Sequence, residues 1–600
     1  MSARVLVVFR PFSWFRVAVG GLLLAVALSA QAAPGRVIQH TYRFDATRLV
    51  VRPGAAGAQV EAGDLVATWE AGEPQIPFDT VTLLVPQGST VARVSARPAR
   101  EHLAHEGLEL SPASSVFDTD GNEHRPPPSR LAGVAKAGEP GLYPRGLAES
   151  VGMGRLHGYQ FVVLQVYPIR FESAAGRLWV ADEIEIEVEL TDGADAPLQR
   201  ERYSAGIEAT ARQTLLARVG NPDVLDAYER RIGASVESAR RGFHPSDAPS
   251  LEGSPVSYVI ITNQTLEASF QVLADWKTSR GIPTVVRTRE WIAAHYRNGS
   301  DIQETIRTFI RDAYTKWGVE YVALGGDTDV IPARYGYSLF GPPADRDIPT
   351  DMYFACLDGN WNADGDALWG EAAIDSVVPG DDLDMYAEVY IGRLPVSTPA
   401  EAAALVDKII THEDPAITDY QDQVVALGEV LFPVDWEPGQ AAAMDGGTFC
   451  DISLAYVPAC ANVTRLYSNH TQYPGSLPLS LAATLSAMNA GGGFVNHVGH
   501  GYRYNMSVGD YSLVNSHAAG LTNGERRFVL YMLNCTATAF DFPCLAEEFL
   551  KAEGGAVAVF GSSRAAYPLP VFNYNREFFE RLHDYGIAKH DDPKSEELPS

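Results

Sequence analysis

Phe494-Val495-Asn496-His497-Val498-Gly499-His500-Gly501 and Phe528-Val529-Leu530-Tyr531-Met532-Leu533-Asn534-Cys535 are two short apolar runs. Each stops at small or polar residues. Runs of this length with few charges are the pattern of strands buried on both faces of a parallel sheet. Open α/β sheets collect their chemistry at the carboxyl ends of such strands. His500 and Cys535 both fall there, and an imidazole beside a thiol is the minimum equipment of a cysteine nucleophile.

The surrounding segments repeat the theme. Val256 to Thr262, Thr284 to Arg287 and Tyr321 to Leu324 read as strands, the last running into Gly325-Gly326-Asp327. Between them, Leu266, Phe270 and Leu273 share one helical face, with Gly281 placed to end that helix. Ile302, Ile306, Phe309, Ile310 and Ala313 mark a second amphipathic helix. After a loop-rich insert come a strand at Val424 to Leu427 and a helix at Leu481 to Met488. Beyond Cys535 come a helix at Cys544 to Lys551 and a strand at Ala556 to Phe560. Strand–helix alternation of this kind predicts an α/β fold, an open and mostly parallel sheet with helices on both faces.

The N-terminal third has a different texture. Val81 to Pro86 and Ile184-Glu185-Ile186-Glu187-Val188-Glu189-Leu190 are strand patterns, the second alternating strictly. They predict a β-rich, sandwich-like domain over 33–195, with Arg125-Pro126-Pro127-Pro128 in a loop. Residues 196–254 are polar, carry helical spacing through Leu215, Leu216, Leu225 and Tyr228, and contain Arg230-Arg231 and Arg240-Arg241. These dibasic pairs fit either a solvated linker or a processing region.

Composition narrows the class of function. The chain has 600 residues, 46% of them hydrophobic and 20% charged, and a net charge of −28. That length implies more than one core. The acidic balance argues against a nucleic-acid partner, which needs a basic face. Arg4, Arg10 and Arg16, the apolar stretch Val17 to Ala30, and Ala30-Gln31-Ala32 form a secretory signal over 1–32. The expected location is therefore secreted or cell-surface. No later run approaches the ~18 apolar residues of a membrane helix. Five cysteines are too few for a disulfide framework. Cys450 and Cys460 are close enough in sequence to pair, and the odd total leaves a thiol over.

Each candidate has an ordinary reading beside the functional one. Cys535 could be a small buried hydrophobe. His500 could be a turn residue, or could join His497 at a metal, although strand spacing sets those two side chains on opposite faces. Glycines on both sides of His500 let the backbone approach a substrate closely. The amides of Gly501 and Cys535 are then candidates for an oxyanion hole. Asp358-x-Asn360-x-Asn362-x-Asp364-Gly365-Asp366 alternates oxygen ligands as calcium loops do. It differs from an EF-hand at Ala363, where that loop turns on glycine, and has no Glu at the twelfth place. A solvated acidic loop is the plain alternative to structural calcium, and no cofactor is required for catalysis.

The segment Gly491 to Gly501 resembles the histidine motif of the gingipain family of secreted cysteine peptidases. Asn534-Cys535-Thr536-Ala537-Thr538-Ala539-Phe540-Asp541, with Cys544-Leu545-Ala546-Glu547, resembles its cysteine motif. The order, His before Cys, agrees, as does Gly554-Gly555-Ala556-Val557-Ala558-Val559 downstream. The likeness extends over about 255–583 and includes Glu388-Val389-Tyr390-Ile391-Gly392-Arg393-Leu394-Pro395. It implies a caspase-like fold with subdomain A at 255–414 and subdomain B at 415–600. It implies that Glu388 orients His500, and that Val498, Leu533 and Tyr567 wall the substrate pocket. It also implies bound calcium, and a propeptide carrying Gly72-Glu73-Pro74-Gln75-Ile76-Pro77 and the 157–190 region. The family continues past the point where this chain ends, so a fragment, or a sheet short of a strand, is expected. The function so implied is a cysteine endopeptidase made as a zymogen, with protein or peptide substrates and its own prodomain as partners. A sortase-like transpeptidase with the same dyad and a non-enzymatic calcium-stabilised surface module are the alternatives.

Overall fold

The computed structural model describes residues 36–586 apart from 55–56, 64, 69–72, 113–115, 118–122, 125–140, 194–195, 203–204, 229–241, 298, 339–346 and 372–379. The signal segment, the Arg125–Pro128 loop and both dibasic pairs lie outside the described residues.

The N-terminal part is built on two larger antiparallel sheets, beside two-stranded ones. In one, the long strand Arg177–Asp192 pairs with Val37–Arg43 and Ile169–Glu172, and with the edge strand Ser89–His105. In the other, Tyr159–Val166 lies between Ala148–Leu156 and Pro77–Val85. Strict alternation in Ile184–Leu190 sends Ile184, Ile186, Val188 and Leu190 into a core shared with Leu83, Val162 and Leu164 of the facing sheet. The intervening glutamates face outward, where Glu185 pairs with Arg97 and Glu183 with Arg43.

The C-terminal part holds two parallel sheets. The first runs Thr284–Thr288, Tyr258–Thr262, Tyr321–Gly325, Tyr390–Leu394. The second has six strands in the order Leu477–Pro478, Asn462–Tyr467, Gln423–Gly428, Phe494–Val498, Phe528–Leu533, Ala556–Gly561. Every ladder in both is parallel. Helices cover their faces, and their ends are marked in the sequence. Asp301 caps Ile302–Asp312 through its side chain, and that helix buries Ile306, Phe309 and Ile310. Thr398 and Glu401 form a capping box at Pro399–Glu413, with proline in the first turn.

Two cations join the sheets. Lys408, from the helix behind the first sheet, donates to the carbonyls of Leu550 at 2.8 Å and Ala556 at 3.0 Å in the second. Arg527 donates to the carbonyl of Lys408 at 3.1 Å. The Leu550 contact satisfies a carbonyl in the last turn of the Leu545–Lys551 helix, where intrahelical partners run out.

The β-rich part docks on the first sheet's loops. The Arg155 and Leu198 amides donate to Asp384 at 2.8 Å and Asp358 at 2.7 Å. Phe161 meets Tyr386 edge-on at 4.6 Å. No helix among the described residues is long and apolar enough to cross a membrane.

Candidate active site

Val498 pairs with Leu533 at the last rung of the parallel ladder between the two strands. His500 and Cys535 therefore leave the sheet two residues beyond the same rung, side by side at its carboxyl edge. All five residues of Phe494–Val498 are buried, because this strand lies inside the six-stranded sheet. Its two polar side chains find buried partners, as they must. Asn496 accepts from Asn575 at 2.9 Å. The His497 Nε2–H donates to the Ser507 carbonyl at 2.8 Å, and its Nδ1 accepts from the Asn534 amide at 3.3 Å. Burial draws the His497 imidazole down to about 4, so it is neutral and structural. No metal set forms around it among the described residues.

The carboxylate at His500 is Glu429, on the turn that follows Gln423–Gly428, the next strand over. The His500 amide donates to Glu429 Oε2 at 2.8 Å, and the Ser507 hydroxyl donates to Oε1 at 2.5 Å. Burial pushes the Glu429 carboxyl up, and these two hydrogen bonds and His500 pull it back. The His500 Nε2 lies 3.1 Å from the Leu431 carbonyl. A carbonyl only accepts, so Nε2 carries the hydrogen and Nδ1 is the basic nitrogen. Cys535 Sγ receives the Ala566 amide at 3.2 Å and faces the Ala566 carbonyl at 3.5 Å.

The glycines around His500 serve a different purpose from the one expected. A Cβ on Gly499 would meet His497 Nε2 at 2.8 Å and Glu429 Oε2 at 2.9 Å. One on Gly501 would meet the Asn534 amide at 2.7 Å. Protein side chains already fill the space that the missing Cβ atoms leave. The Cys535 loop carries backbone strain as well: Thr536 has φ of 61°, a conformation rare for a β-branched residue. Its amide donates to the Arg564 carbonyl at 3.1 Å. The Arg564 guanidinium grips Asp541 through two bonds of 3.0 and 2.7 Å. Asp541 of the cysteine motif thus ties both ends of the strand-edge loop together.

Several expected site residues lie elsewhere. Glu388, expected to orient His500, makes no hydrogen bond to it among the described residues. It is buried against Leu357, whose amide donates to its Oε2 at 2.7 Å. Burial and the neighbouring Asp358 and Asp384 push its carboxyl up to about 9. A glutamate just before a strand carries no geometric information about which carboxylate meets the imidazole. Glu429 was missed because a lone glutamate after a strand looks like any turn residue. Its only signal was position at the carboxyl end of a third parallel strand. Val498 and Leu533, expected at the pocket walls, are buried and packed with Leu431, Tyr531, Phe572 and Phe579. The C-terminal helix Pro568–Gly586 contributes the last two and covers that face. Tyr567 is half-buried and follows Ala566 directly, beside the Cys535 sulfur.

The acidic loop converges differently from the sequence pattern. The carboxylate oxygens of Asp364, Asp366 and Glu371 lie within 4.8 Å of one another. Asp358 turns away to accept the Leu198 amide. Asn360 accepts from the Asn362 amide at 3.1 Å, and Asn362 donates its side-chain amide to the Asp366 carbonyl at 3.1 Å. Three hard oxygen donors at this spacing fit calcium. Repulsion from Asp366, Asp364 and Asp381, after burial, raises the Glu371 carboxyl, and a divalent cation would offset that repulsion. Cys450 is buried, Cys460 is exposed, and both are free thiols.

Parallel α/β sheets with a His and a Cys on neighbouring strand ends, behind a β-rich domain, define a caspase-like architecture with its propeptide. The chain belongs to peptidase family C25, whose family model matches residues 252–593. Lys-gingipain of Porphyromonas gingivalis is 25% identical over 579 residues, which is 91% of this chain and 29% of that protein. Gingipain R2 of the same species is 25% identical over 319 residues, 51% of this chain and 36% of the relative. The crystal structure of the Arg-specific cysteine proteinase gingipain R matches with a TM-score of 0.41 at 21% identity, covering 56% of this chain and 69% of that one. The chain thus spans about a third of the length of these curated relatives.

Proposed function

We propose that this protein is a secreted cysteine endopeptidase made as a zymogen, with Cys535 as nucleophile and His500 as its base. The observation that carries the reading is the Val498–Leu533 pairing, which delivers the two side chains to one sheet edge. Membership of family C25 supports the reaction class.

In this reading the His500 Nδ1 takes the thiol proton as Sγ attacks the scissile carbonyl. The Gly501 and Cys535 amides hold the oxyanion. The imidazolium returns its proton to the leaving amine, and water, activated by the same imidazole, releases the acyl group. Glu429, through the His500 amide and Ser507, fixes the loop that carries the imidazole. It is a positioning residue. Calcium bound by Asp364, Asp366 and Glu371 would brace the loop beneath the docked β-rich domain, with no part in the chemical steps. The N-terminal domain serves as the prodomain, contacting Asp358, Asp384 and Tyr386, and residues 1–32 direct export.

The test compares wild type with Cys535→Ala on a mixed peptide library, before and after limited proteolysis between residues 229 and 241. Cleavage by wild type, increased by the nick and absent from the variant, is expected. Equal cleavage by both proteins would remove Cys535 from the mechanism.

A further inference from the structure

Arg503 stands three residues beyond His500, in the turn between Gly501–Tyr502 and Asn505–Ser507. Its guanidinium carbon sits 3.7 Å over the ring of Phe542, which belongs to the loop following Cys535. Its carbonyl accepts from the Leu545 amide, so the histidine turn and the cysteine loop meet at this arginine.

The other partly buried guanidiniums on neighbouring loops have carboxylates. Arg564 takes Asp541 at 2.7 Å, Arg393 takes Asp351 at 2.7 Å, and Arg334 takes Asp301 at 2.8 Å. Arg503 has no carboxylate within 4.0 Å and no side-chain hydrogen bond among the described residues, and its Nε is buried without a partner. Asp541, the nearest acid along the adjoining loop, is already held by both Arg564 nitrogens. In a chain with 75 acidic and 47 basic residues, a half-buried arginine left without an acid needs an external one. Stacking on Phe542 fixes the guanidinium plane, and a planar fork of N–H donors matches a carboxylate. Tyr502 and Tyr504 are exposed beside it and meet edge-on at 5.4 Å, giving a substrate backbone an apolar surface to lie on.

We propose that Arg503, seated on Phe542, is a specificity residue that receives an acidic side chain of the peptide substrate close to the scissile bond. This rests on the peptidase reading above, and deepens it by naming the substrate class: peptides carrying Asp or Glu.

The test uses the full chain and fluorescein-labelled peptide sets that differ at one position only, Glu, Gln or Lys. Binding is measured on the Cys535→Ala background, and cleavage on the intact dyad. The Glu peptide at one position should bind about tenfold tighter than its Gln twin, since a charge-assisted contact is replaced by a neutral one. The advantage should shrink with added salt, survive in part in Arg503→Lys, collapse in Arg503→Gln and pass to the Lys peptide in Arg503→Glu. A general folding defect cannot produce that inversion. Equal binding of Glu and Gln peptides at every position, or a Glu advantage that persists in Arg503→Gln, would overturn the proposal. Acid-selective binding without cleavage on the intact dyad would leave the subsite standing and remove the peptidase reading. Cleavage indifferent to acidity would do the reverse.

Discussion

Glu429 Oε2 accepts a hydrogen bond from the main-chain nitrogen of His500 at 2.8 Å. The contact is to the backbone, so the carboxylate controls where the histidine turn sits and not the ring itself. Glu429→Gln keeps the shape but replaces an ionic acceptor by a neutral one. A bond of that kind contributes roughly 1.5–3 kcal/mol, so kcat should fall by about ten- to a hundredfold while KM changes little. Glu388→Gln should leave kcat within about twofold, because that residue contacts Leu357 and not the histidine turn. Comparing the two variants on one peptide separates the assignments. A larger loss at Glu388 would reverse them.

Residue pattern alone makes the dyad legible, because strand ends are marked by where apolar runs stop. His500 and Cys535 were therefore found without geometry, and the parallel βαβ frame came with them. The orienting carboxylate was not legible in this way. Glu388 precedes one strand and Glu429 follows another, and only the strand order, with Gln423–Gly428 beside Phe494–Val498, brings Glu429 to the His500 turn. The packing of Val498 and Leu533 was illegible for a related reason. Residues at a strand end can face the core or the cleft, and Val498 and Leu533 face the core, where Phe572 and Phe579 of the C-terminal helix pack with them. In the acidic loop, Asp364 and Asp366 belong to the alternating pattern, while Glu371, outside that pattern, converges with them only in the structure.

His497 makes the protein sensitive to acid. Its imidazole is held at about 4 by burial, against an unfolded value near 6.5. Between those values the unfolded chain binds the proton and the native one does not, so stability is complete above about pH 6.5 and is lost as pH falls towards 4. The upper limit of this loss is about 3 kcal/mol, at 1.36 kcal/mol per pKa unit. Thermal melts of wild type and His497→Gln from pH 4 to 7.5 should show a shallower acid limb for the variant. Parallel curves would assign acid sensitivity to other groups.

The carboxylates of Asp364, Asp366 and Glu371 predict a calcium effect on stability. Millimolar calcium should raise the Tm, a chelator should return it, and magnesium should act more weakly because it demands a tighter octahedron. Asp366→Asn should abolish the rise. If calcium leaves the melt unchanged, the loop is an acidic surface and nothing more.

Asp541 and Arg564 supply the strictest test of how the Cys535 loop is built. Both side chains are more than nine-tenths buried, at 5% and 7% exposure, and the Arg564 carbonyl receives the amide of strained Thr536. Asp541→Ala leaves a buried guanidinium without its partner, which typically costs about 3–5 kcal/mol. Arg564→Met alone leaves the complementary charge, and the carboxyl can take up a proton instead, so its cost should be smaller. The double variant Asp541→Ala, Arg564→Met removes both charges and should recover much of the stability lost by Asp541→Ala. Recovery of stability need not bring back activity, because the pair also fixes the segment that presents the Ala566 amide to Cys535 Sγ. The expected result is therefore a double variant that melts close to wild type yet alkylates at Cys535 with altered kinetics. If it regains both stability and the wild-type alkylation rate, the ion pair contributes only to folding, and the position of the Cys535 sulfur is set by the sheet alone.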